Sequence, residues 1–277
     1  MANIPASIEI SPKQSVESKD LPGLFPAGSR VYITDVGTDT AETLTAGAKR
    51  VKELGYTPVP HFASRRLTTK AALEDRIKMM TGEAGVTDVL VIGGGLEKEA
   101  GDFASSMEVL ETGFFDKHGI THMGVAGHPE GSPDFTDEVA EEALKLKKAF
   151  AERTDIDMRI VTQFGFDADK FITWADSLTA SGVDLPVHLG VSGPAKITTL
   201  IKFAAMCGVG NSLQFLKKRS SALIALAAGF DPEEVVTPID QHWQNKGDQT
   251  AIKQIHIFAF GGLVKSAEWL KKRGSWA

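Results

Sequence analysis

The fold is decided by one stretch, Asp88-Val89-Leu90-Val91-Ile92-Gly93-Gly94-Gly95. An apolar run without polar alternation, closed by glycines, predicts a short strand that is buried on both faces. The stretch Arg159-Ile160-Val161-Thr162-Gln163-Phe164 is of the same kind. Strands buried on both faces are typical of a parallel sheet that is covered by helices.

Outward from these two runs, β-branched stretches alternate with amphipathic stretches of period near 3.6, which indicates repeated β/α units. Eight strands are predicted, at Ser7–Ser11, Arg30–Asp35, Thr57–Phe62, Asp88–Gly93, Met123–Gly127, Arg159–Phe164, Pro186–Val191 and Gln254–Phe260. The predicted helices include Ala41–Leu54, Thr69–Met80, Phe103–Lys117, Asp134–Glu152, Ala168–Ser181 and Ala195–Met206. Eight units in about 250 residues favour a (β/α)8 TIM barrel over the alternative, a doubly wound sheet, which uses fewer strands.

Two segments depart from a simple repeat. Between Pro12 and Ser29 the prolines and glycines predict a loop in which a helix is missing or shortened. Between Asn211 and Gly247 two helical stretches follow each other, so one is predicted to be an addition. Since no linker divides the chain, residues 1–277 are predicted to form a single barrel domain.

Composition limits the function classes. The 277 residues carry 30 Lys and Arg against 36 Asp and Glu, a net charge of −6, and show no dense basic run. Nucleic-acid binding is therefore not expected. With Cys207 as the single cysteine, no internal disulfide can form, which suits a reducing compartment. No signal peptide or long apolar segment is evident, so the sequence predicts a cytoplasmic protein without membrane contact.

Polar residues at the carboxyl ends of the predicted strands are the candidates for chemistry, because a parallel barrel forms its active site there. They include Glu9, His61, Gly93-Gly94-Gly95, the loop from His128 to Pro133, Gln163, and the turn that ends at Phe260. The histidines lack metal-ligand spacing, so no metal site is predicted.

Glu9 lies between Ile8 and Ile10, where an unpaired carboxylate costs free energy. If Glu9 points into the barrel near its mouth, it can donate a proton to a substrate. If it points outward, it can pair with a lysine on a covering helix. Periodicity alone leaves both orientations open.

The other candidates also have two interpretations. Gly93-Gly94-Gly95 allows close approach of a phosphate to the backbone, but glycine turns after strands are common. His128 lies in a loop that Pro129 and Pro133 hold rigid, which suits binding, although a histidine there can be purely structural. Gln163, beside Phe164, can recognise a flat heterocycle or serve as a core amide.

Taken together, the strand-end motifs resemble the methylenetetrahydrofolate reductase family, flavin enzymes built on an eight-stranded barrel. The matching stretches occur in the family's order over nearly the whole chain. They are Ser7–Pro12, Pro60–Phe62, Val125–Pro133, Thr162–Asp167, and Gly190–Pro194 followed by Lys202–Ala204.

The resemblance implies reduction of 5,10-methylenetetrahydrofolate to 5-methyltetrahydrofolate, with FAD carrying hydride from NADH or NADPH. It implies that Glu9 protonates N10 of the folate as general acid. It also implies folate contacts for Gln163, Phe164 and Phe260. The cofactor contacts that it implies are His61, Gly93, Gly94, Gly95, His128, Glu130 and Ser132.

The departures lie mainly on the flavin side. Gly93-Gly94-Gly95 stands where the family commonly has Arg-Gly-Asp, and Ser132 stands at the place of the loop's second histidine. A lysine expected in the following helix aligns with Ala149. Weakly held FAD is therefore the hypothesis, and two other function classes stay open: a protein that binds folate without turnover, and a flavin-independent folate C1-transfer enzyme such as a methyltransferase. The direction of flux and the oligomeric state, including a homo-oligomer, are also open.

Overall fold

Eight strands close into a barrel in chain order, as the computed structural model shows for residues 3–209, 214, 216 and 229–276. The strands are β1 Ala6–Ile10, β2 Arg30–Ile33, β3 Thr57–Ala63, β4 Asp88–Ile92, β5 His122–Gly127, β6 Asp157–Gly165, β7 Val187–Ser192 and β8 Ile252–Phe258. All eight predicted strands are found at the predicted places, and the barrel prediction is confirmed. The doubly wound alternative is excluded because that sheet is open.

Helices connect the strands. Those of the described residues are α1 Pro12–Glu17, α2 Ala41–Glu53, α3 Lys70–Ala84, α4 Ser106–Leu110, α5 Phe114–Lys117, α6 Asp137–Glu152, α7 Ala168–Ala180, α8 Ile197–Met206, α9 Glu233–Lys246 and α10 Leu263–Arg273. Short 3-10 turns cover Ser64–Arg66 and Gly247–Gln249.

One predicted helix is divided in the structure, and another predicted helical stretch lies mostly outside the described residues. The single helix predicted over Phe103–Lys117 is wrong: α4 and α5 are separate, and Gly113 between them has a left-handed backbone with φ of 69°. Glycine adopts this left-handed conformation readily. A residue in that conformation ends a right-handed helix. Of the two helical stretches predicted between Asn211 and Gly247, α9 is present, and most of the other lies outside the described residues.

The shortened helix predicted after β1 is α1. It begins at a capping box, in which the Ser11 hydroxyl accepts the Gln14 amide and the Gln14 side chain accepts the Ser11 amide. At its other end Arg50 donates to the carbonyl oxygens of Ser15 and Ser18. This contact satisfies carbonyls that a helix of six residues leaves without partners.

The chain divides into two compact units. The first unit comprises Glu9–Ala126 with Leu146–Arg159, and the second comprises Met1–Ile8, Gly127–Lys145 and Ile160–Ala277. This division leaves the single-domain prediction for residues 1–277 untested.

In the first unit, β2 pairs in parallel with β3, and β3 pairs in parallel with β4. Val31, Tyr32 and Ile33 are all fully buried although they are consecutive. Because consecutive side chains of a strand point to opposite faces, both faces of β2 are covered. This is the burial that the apolar runs predicted.

In the second unit, β6, β7 and β8 pair in parallel. The described chain ends are tied together here: Asp240 on α9 accepts the Ile4 amide, and the Ser275 hydroxyl donates to the Ile4 carbonyl. The Trp276 indole donates to the Ala6 carbonyl at the start of β1. These bonds hold the residues that lead into β1.

Candidate functional site

Glu9 and His61 lie side by side in the first unit. Glu9 Oε2 is 3.5 Å from His61 Nε2, and the two side chains are 14% and 7% exposed. Their strands, β1 and β3, are separated by β2 in the barrel order. Side chains two strands apart meet on the concave face of a curved sheet, because they diverge on its convex face. The Glu9 carboxyl therefore lies on the concave face of its strands, toward the barrel interior.

A buried ionic cluster occupies the same unit. Arg159 donates to the Tyr32 hydroxyl at 2.8 and 2.9 Å and to an Asp88 carboxylate oxygen at 2.8 Å, while Arg30 donates to the other oxygen. Burial alone would lower the pKa of Arg159, but Tyr32 and Asp88 outweigh it and raise that pKa. Burial raises the pKa of Tyr32. The arginine is therefore permanently charged, and the Tyr32 ring that it holds lies edge-on to His61 at 6.2 Å between centroids.

The Gly93-Gly94-Gly95 turn follows β4 and is held by the 3-10 turn that follows β3. The Ser64 hydroxyl donates to the carbonyls of Ile92 and Gly93, and the Arg65 amide also donates to Gly93. Gly94 and Gly95 have φ values of 99° and 59°, which favour glycine. The turn is therefore fixed in a conformation in which residues other than glycine would be strained.

The space beside Gly93 and Gly95 is open, whereas a Cβ atom on Gly94 would lie 3.0 Å from the Ala63 Cβ. A Cβ atom built on Gly93 or Gly95 would meet nothing within 4 Å. Among the described residues, the amides of Gly94, Gly95 and Leu96 donate to no protein group. Successive free amides in a glycine turn are the donors that phosphate oxygens accept from, so the turn fits the phosphate of a dinucleotide such as FAD.

Lys147 on α6 is a buried cation that the sequence analysis missed. It shares its face with Leu144 and Phe150, three residues away on either side, and only 6% of it is exposed. Burial lowers its pKa from 10.5 to about 8. Ala149, at which the family's lysine was expected, is exposed. The spacing with Leu144 and Phe150 was the signal that could have revealed the buried lysine.

The loop after β5, in the second unit, folds on itself. The Gly131 amide donates to the His128 carbonyl at 3.0 Å, and the Ser132 hydroxyl accepts the Asp134 amide at 3.2 Å. The His128 ring lies edge-on to Phe135, with 5.0 Å between centroids. These contacts fix the shape of the loop whether or not it binds a cofactor.

Glu130 links this loop to the end of β6, since its Oε1 accepts the Phe166 amide at 3.3 Å. Beside it lies an open cavity of about 560 Å³, whose lining includes Glu130, Ser132, Phe135, Asp137 and Glu138. The cavity is polar and acidic. Glu130 therefore has a structural contact in addition to the cofactor role that the sequence predicts for it.

Gln163 sits at an irregularity in β6. The register with β7 shifts between Val161 and Phe164, and the Thr162 hydroxyl donates to the Gln163 carbonyl and accepts the Gly190 amide. A Cβ on Gly190 would lie 2.4 Å from the Thr162 carbonyl oxygen, so only glycine fits there. The Gln163 side-chain oxygen accepts the Phe164 amide at 3.1 Å. This bond fixes the carboxamide, and its nitrogen remains a donor.

Phe164 and Phe260 belong to an aromatic cluster in the second unit. Phe164 is buried and lies edge-on to Phe260, with 4.9 Å between centroids. Phe203 on α8 stacks on Phe260 at 4.2 Å and 17°, and Phe258 lies 5.6 Å from Phe260. Phe203 was not among the predicted site residues. Partly exposed, nearly parallel rings offer a flat apolar wall.

Nowhere in the described part of the chain do three His, Cys, Asp or Glu side chains come close enough together to hold a metal ion. A helix that crosses a bilayer must be both long and apolar, and none in the described ranges is.

The sequence profile described as "Methylenetetrahydrofolate reductase" matches residues 22–220, which is well over half of the chain. The chain belongs to the methylenetetrahydrofolate reductase family. His61, the glycine turn, the loop after β5 and Gln163 fall within the matched range, whereas Glu9 and Phe260 fall outside it.

Curated relatives of the reductase family match shorter stretches. Methylenetetrahydrofolate reductase 1 of Schizosaccharomyces pombe is 39% identical over 88 residues, which are 31% of this chain and 14% of that protein. The 5,10-methylenetetrahydrofolate reductase of Pectobacterium carotovorum subsp. carotovorum is 27% identical over 170 residues, 58% of this chain and 52% of that protein. The matches thus span about half of the bacterial relative and much less of the fungal one.

Among solved structures, this reductase-family chain is similar to a GH128 (subgroup II) endo-beta-1,3-glucanase from Sorangium cellulosum. The TM-score is 0.53 at 14% sequence identity, over 92% of this chain and 87% of that one. At that identity the likeness supports the fold alone.

Proposed function

We propose that this protein is an oxidoreductase that interconverts 5,10-methylenetetrahydrofolate and 5-methyltetrahydrofolate with NADH or NADPH through FAD. The observation that carries the proposal is the sheltered Glu9 carboxyl beside His61, in a chain that belongs to the methylenetetrahydrofolate reductase family. Proton donation to a substrate nitrogen needs an acidic group at the site, and the Glu9 carboxyl can serve as one.

In this proposal Glu9 donates its proton to N10 of the folate, which opens the five-membered ring for reduction. A carboxyl group that is largely shielded from water interacts more strongly with a charge that develops on a bound substrate. His61 Nε2, 3.5 Å from Glu9 Oε2, gives the carboxyl a polar neighbour. The ionic cluster holds the Tyr32 hydroxyl, and the Tyr32 ring lies edge-on to His61.

Folate binding is assigned to Gln163, Phe164 and Phe260. The Gln163 carboxamide is held by the Phe164 amide and can donate from its nitrogen to a heterocyclic acceptor. The partly exposed ring of Phe260 offers a face for an aromatic part of the ligand. Both features suit a flat, polar-edged molecule such as a reduced folate.

Cofactor binding is assigned to His61, the glycine turn, His128, Glu130 and Ser132. When bound, FAD supplies the hydride carrier between the pyridine nucleotide and the folate. The glycine turn offers backbone donors but no charged side chain where the family commonly has Arg-Gly-Asp. We therefore expect FAD to bind weakly and to dissociate on dilution.

The absence of the family's Arg-Gly-Asp side chains from the glycine turn also favours a second candidate, a flavin-independent folate C1-transfer enzyme. An enzyme of that class needs the folate contacts and an acid but none of the flavin contacts. It would act on reduced folate in the absence of FAD and would require a methyl acceptor. Location in the cytoplasm and assembly into a homo-oligomer are further predictions that the sequence leaves open.

The test is an anaerobic assay of the purified protein with 5,10-methylenetetrahydrofolate and either NADH or NADPH, with and without added FAD. The proposal predicts oxidation of one pyridine nucleotide, formation of 5-methyltetrahydrofolate, and stimulation by FAD. Tight folate binding without any pyridine-nucleotide oxidation, even with excess FAD, would instead identify a binding protein. Turnover that needs a methyl acceptor and ignores FAD would support the second candidate.

A further inference from the structure

The 3-10 turn that follows β3 carries a cation directly beside the glycine turn. Arg65 Nη1 donates to the Leu96 carbonyl at 2.7 Å, so the guanidinium is anchored at the end of Gly93-Gly94-Gly95. The Arg65 backbone is fixed as well, since its amide donates to Gly93 and its carbonyl accepts the Ala100 amide. Arg65 is therefore held in one position relative to the turn.

The anchored guanidinium has donor capacity left. Arg65 Nε is buried and has no hydrogen-bond partner among the described residues. A guanidinium presents five N–H donors, and its contact with Leu96 uses one side of the fork. A buried donor without a partner costs free energy, and an anion that accepts from it would remove that cost.

Three backbone donors lie on the same turn. The amides of Gly94, Gly95 and Leu96 are free of protein partners within the described ranges, and the space around Gly93 and Gly95 is open. A phosphate group accepts several hydrogen bonds at once and is recognised in this way by glycine turns combined with an arginine. The adjacent Glu97 and Glu99 are exposed, so water screens their charges.

We propose that Arg65 and the free amides of Gly94, Gly95 and Leu96 form a binding site for the phosphate of a dinucleotide. Arg65, from the turn after β3, places one positive charge beside the glycine turn, and a single cation there is consistent with the weak FAD binding expected from the turn itself. This inference deepens the proposed function and rests on it for the kind of ligand, since FAD, NADH and NADPH all carry a pyrophosphate.

The test compares dissociation constants, measured by isothermal titration calorimetry, of the unaltered protein and of Arg65→Met for FAD, NADH and NADPH. Riboflavin, which has no phosphate, and 5-methyltetrahydrofolate are the ligand controls. Arg153→Met is the matched variant, because Arg153 is an exposed arginine of the same unit that pairs with Glu111. We expect Arg65→Met to raise the dissociation constant of at least one dinucleotide about tenfold or more, which corresponds to about 1.4 kcal/mol of binding free energy. Riboflavin, folate and the Arg153→Met protein should show no change.

Equal dinucleotide affinities in the unaltered and Arg65→Met proteins would overturn the site, as would the absence of dinucleotide binding. A loss of folate affinity alone would also overturn it, since the anion would then be a folate carboxylate. If Arg65→Met fails to fold, pyrophosphate competition with the unaltered protein decides: displacement of the dinucleotide supports the site, and no displacement refutes it. Dinucleotide binding that depends on Arg65, in a protein that does not turn over folate, would refute the proposed function but support the phosphate site.

Discussion

Replacement of Lys147 by methionine should stabilise the protein at neutral pH. The pKa of this buried lysine falls from 10.5 to about 8 because burial disfavours its charged form. The two values differ by about 2.5, and at about 1.36 kcal/mol for each pKa unit the buried charge costs about 3 kcal/mol of unfolding free energy. Methionine fills a similar volume without a charge, so Lys147→Met should recover most of that amount at pH 7.

The sign of the pH dependence follows from proton binding. Below pH 8 Lys147 is protonated in both the folded and the unfolded state, so the full free-energy cost of the buried charge is present. Between about pH 8 and 10.5 the unfolded lysine binds more protons than the folded one, so the stability of the unaltered protein rises with pH. The advantage of Lys147→Met should therefore shrink over that interval.

The assay is urea unfolding of both proteins at pH 7 and at pH 10, followed by circular dichroism. Lys145→Met is the control, because Lys145 is exposed on the same helix and forms an ion pair with Glu141. Lys145→Met should change the free energy of unfolding by no more than about 0.5 kcal/mol. A Lys147→Met protein that is no more stable at pH 7, or whose gain is equal at both pH values, would refute the reasoning.

Two further predictions concern the barrel interior and β6. Asp88→Asn should destabilise the protein by about 3–5 kcal/mol, because it leaves the Arg159 charge buried with too few partners. Urea unfolding of Asp88→Asn and of the exposed control Asp157→Asn checks this, and a difference in unfolding free energy below about 1 kcal/mol would contradict it. Thr162→Val should weaken binding of 5-methyltetrahydrofolate in calorimetry, because it frees the bulge that positions Gln163, whereas Thr162→Ser should bind normally; equal affinity in all three proteins would show that the bulge does not position Gln163.

The strands could be predicted because burial on both faces leaves a mark in composition. Asp88–Ile92 and its counterparts are apolar at consecutive positions, and glycine or proline closes many of them. The helix predicted over Phe103–Lys117 is interrupted at Gly113, whose left-handed backbone separates α4 from α5. A glycine in a helical pattern is tolerated often enough that its backbone angle has to be observed.

Contacts across the barrel could not be predicted. Arg159 and Asp88 are 71 positions apart, and nothing in either neighbourhood names the other as its partner. Arg65, next to Arg66 after a strand, has the sequence character of a surface residue, and only its bond to Leu96 shows that it is anchored at the glycine turn. The candidate residues themselves were selected from strand-end position and family resemblance, and their chemical roles remain predictions.

The central claim is that Glu9 is the acid that protonates folate, and separate measurement of the two half-reactions in Glu9→Gln by stopped-flow absorbance tests it most directly. Glu17→Gln, an exposed glutamate of α1, is the control. With FAD added, the account predicts that transfer of hydride from the pyridine nucleotide to flavin stays largely intact in Glu9→Gln, while reduction of 5,10-methylenetetrahydrofolate slows by about 10²–10⁴-fold. Equal slowing of both half-reactions, or undiminished folate reduction, would contradict it.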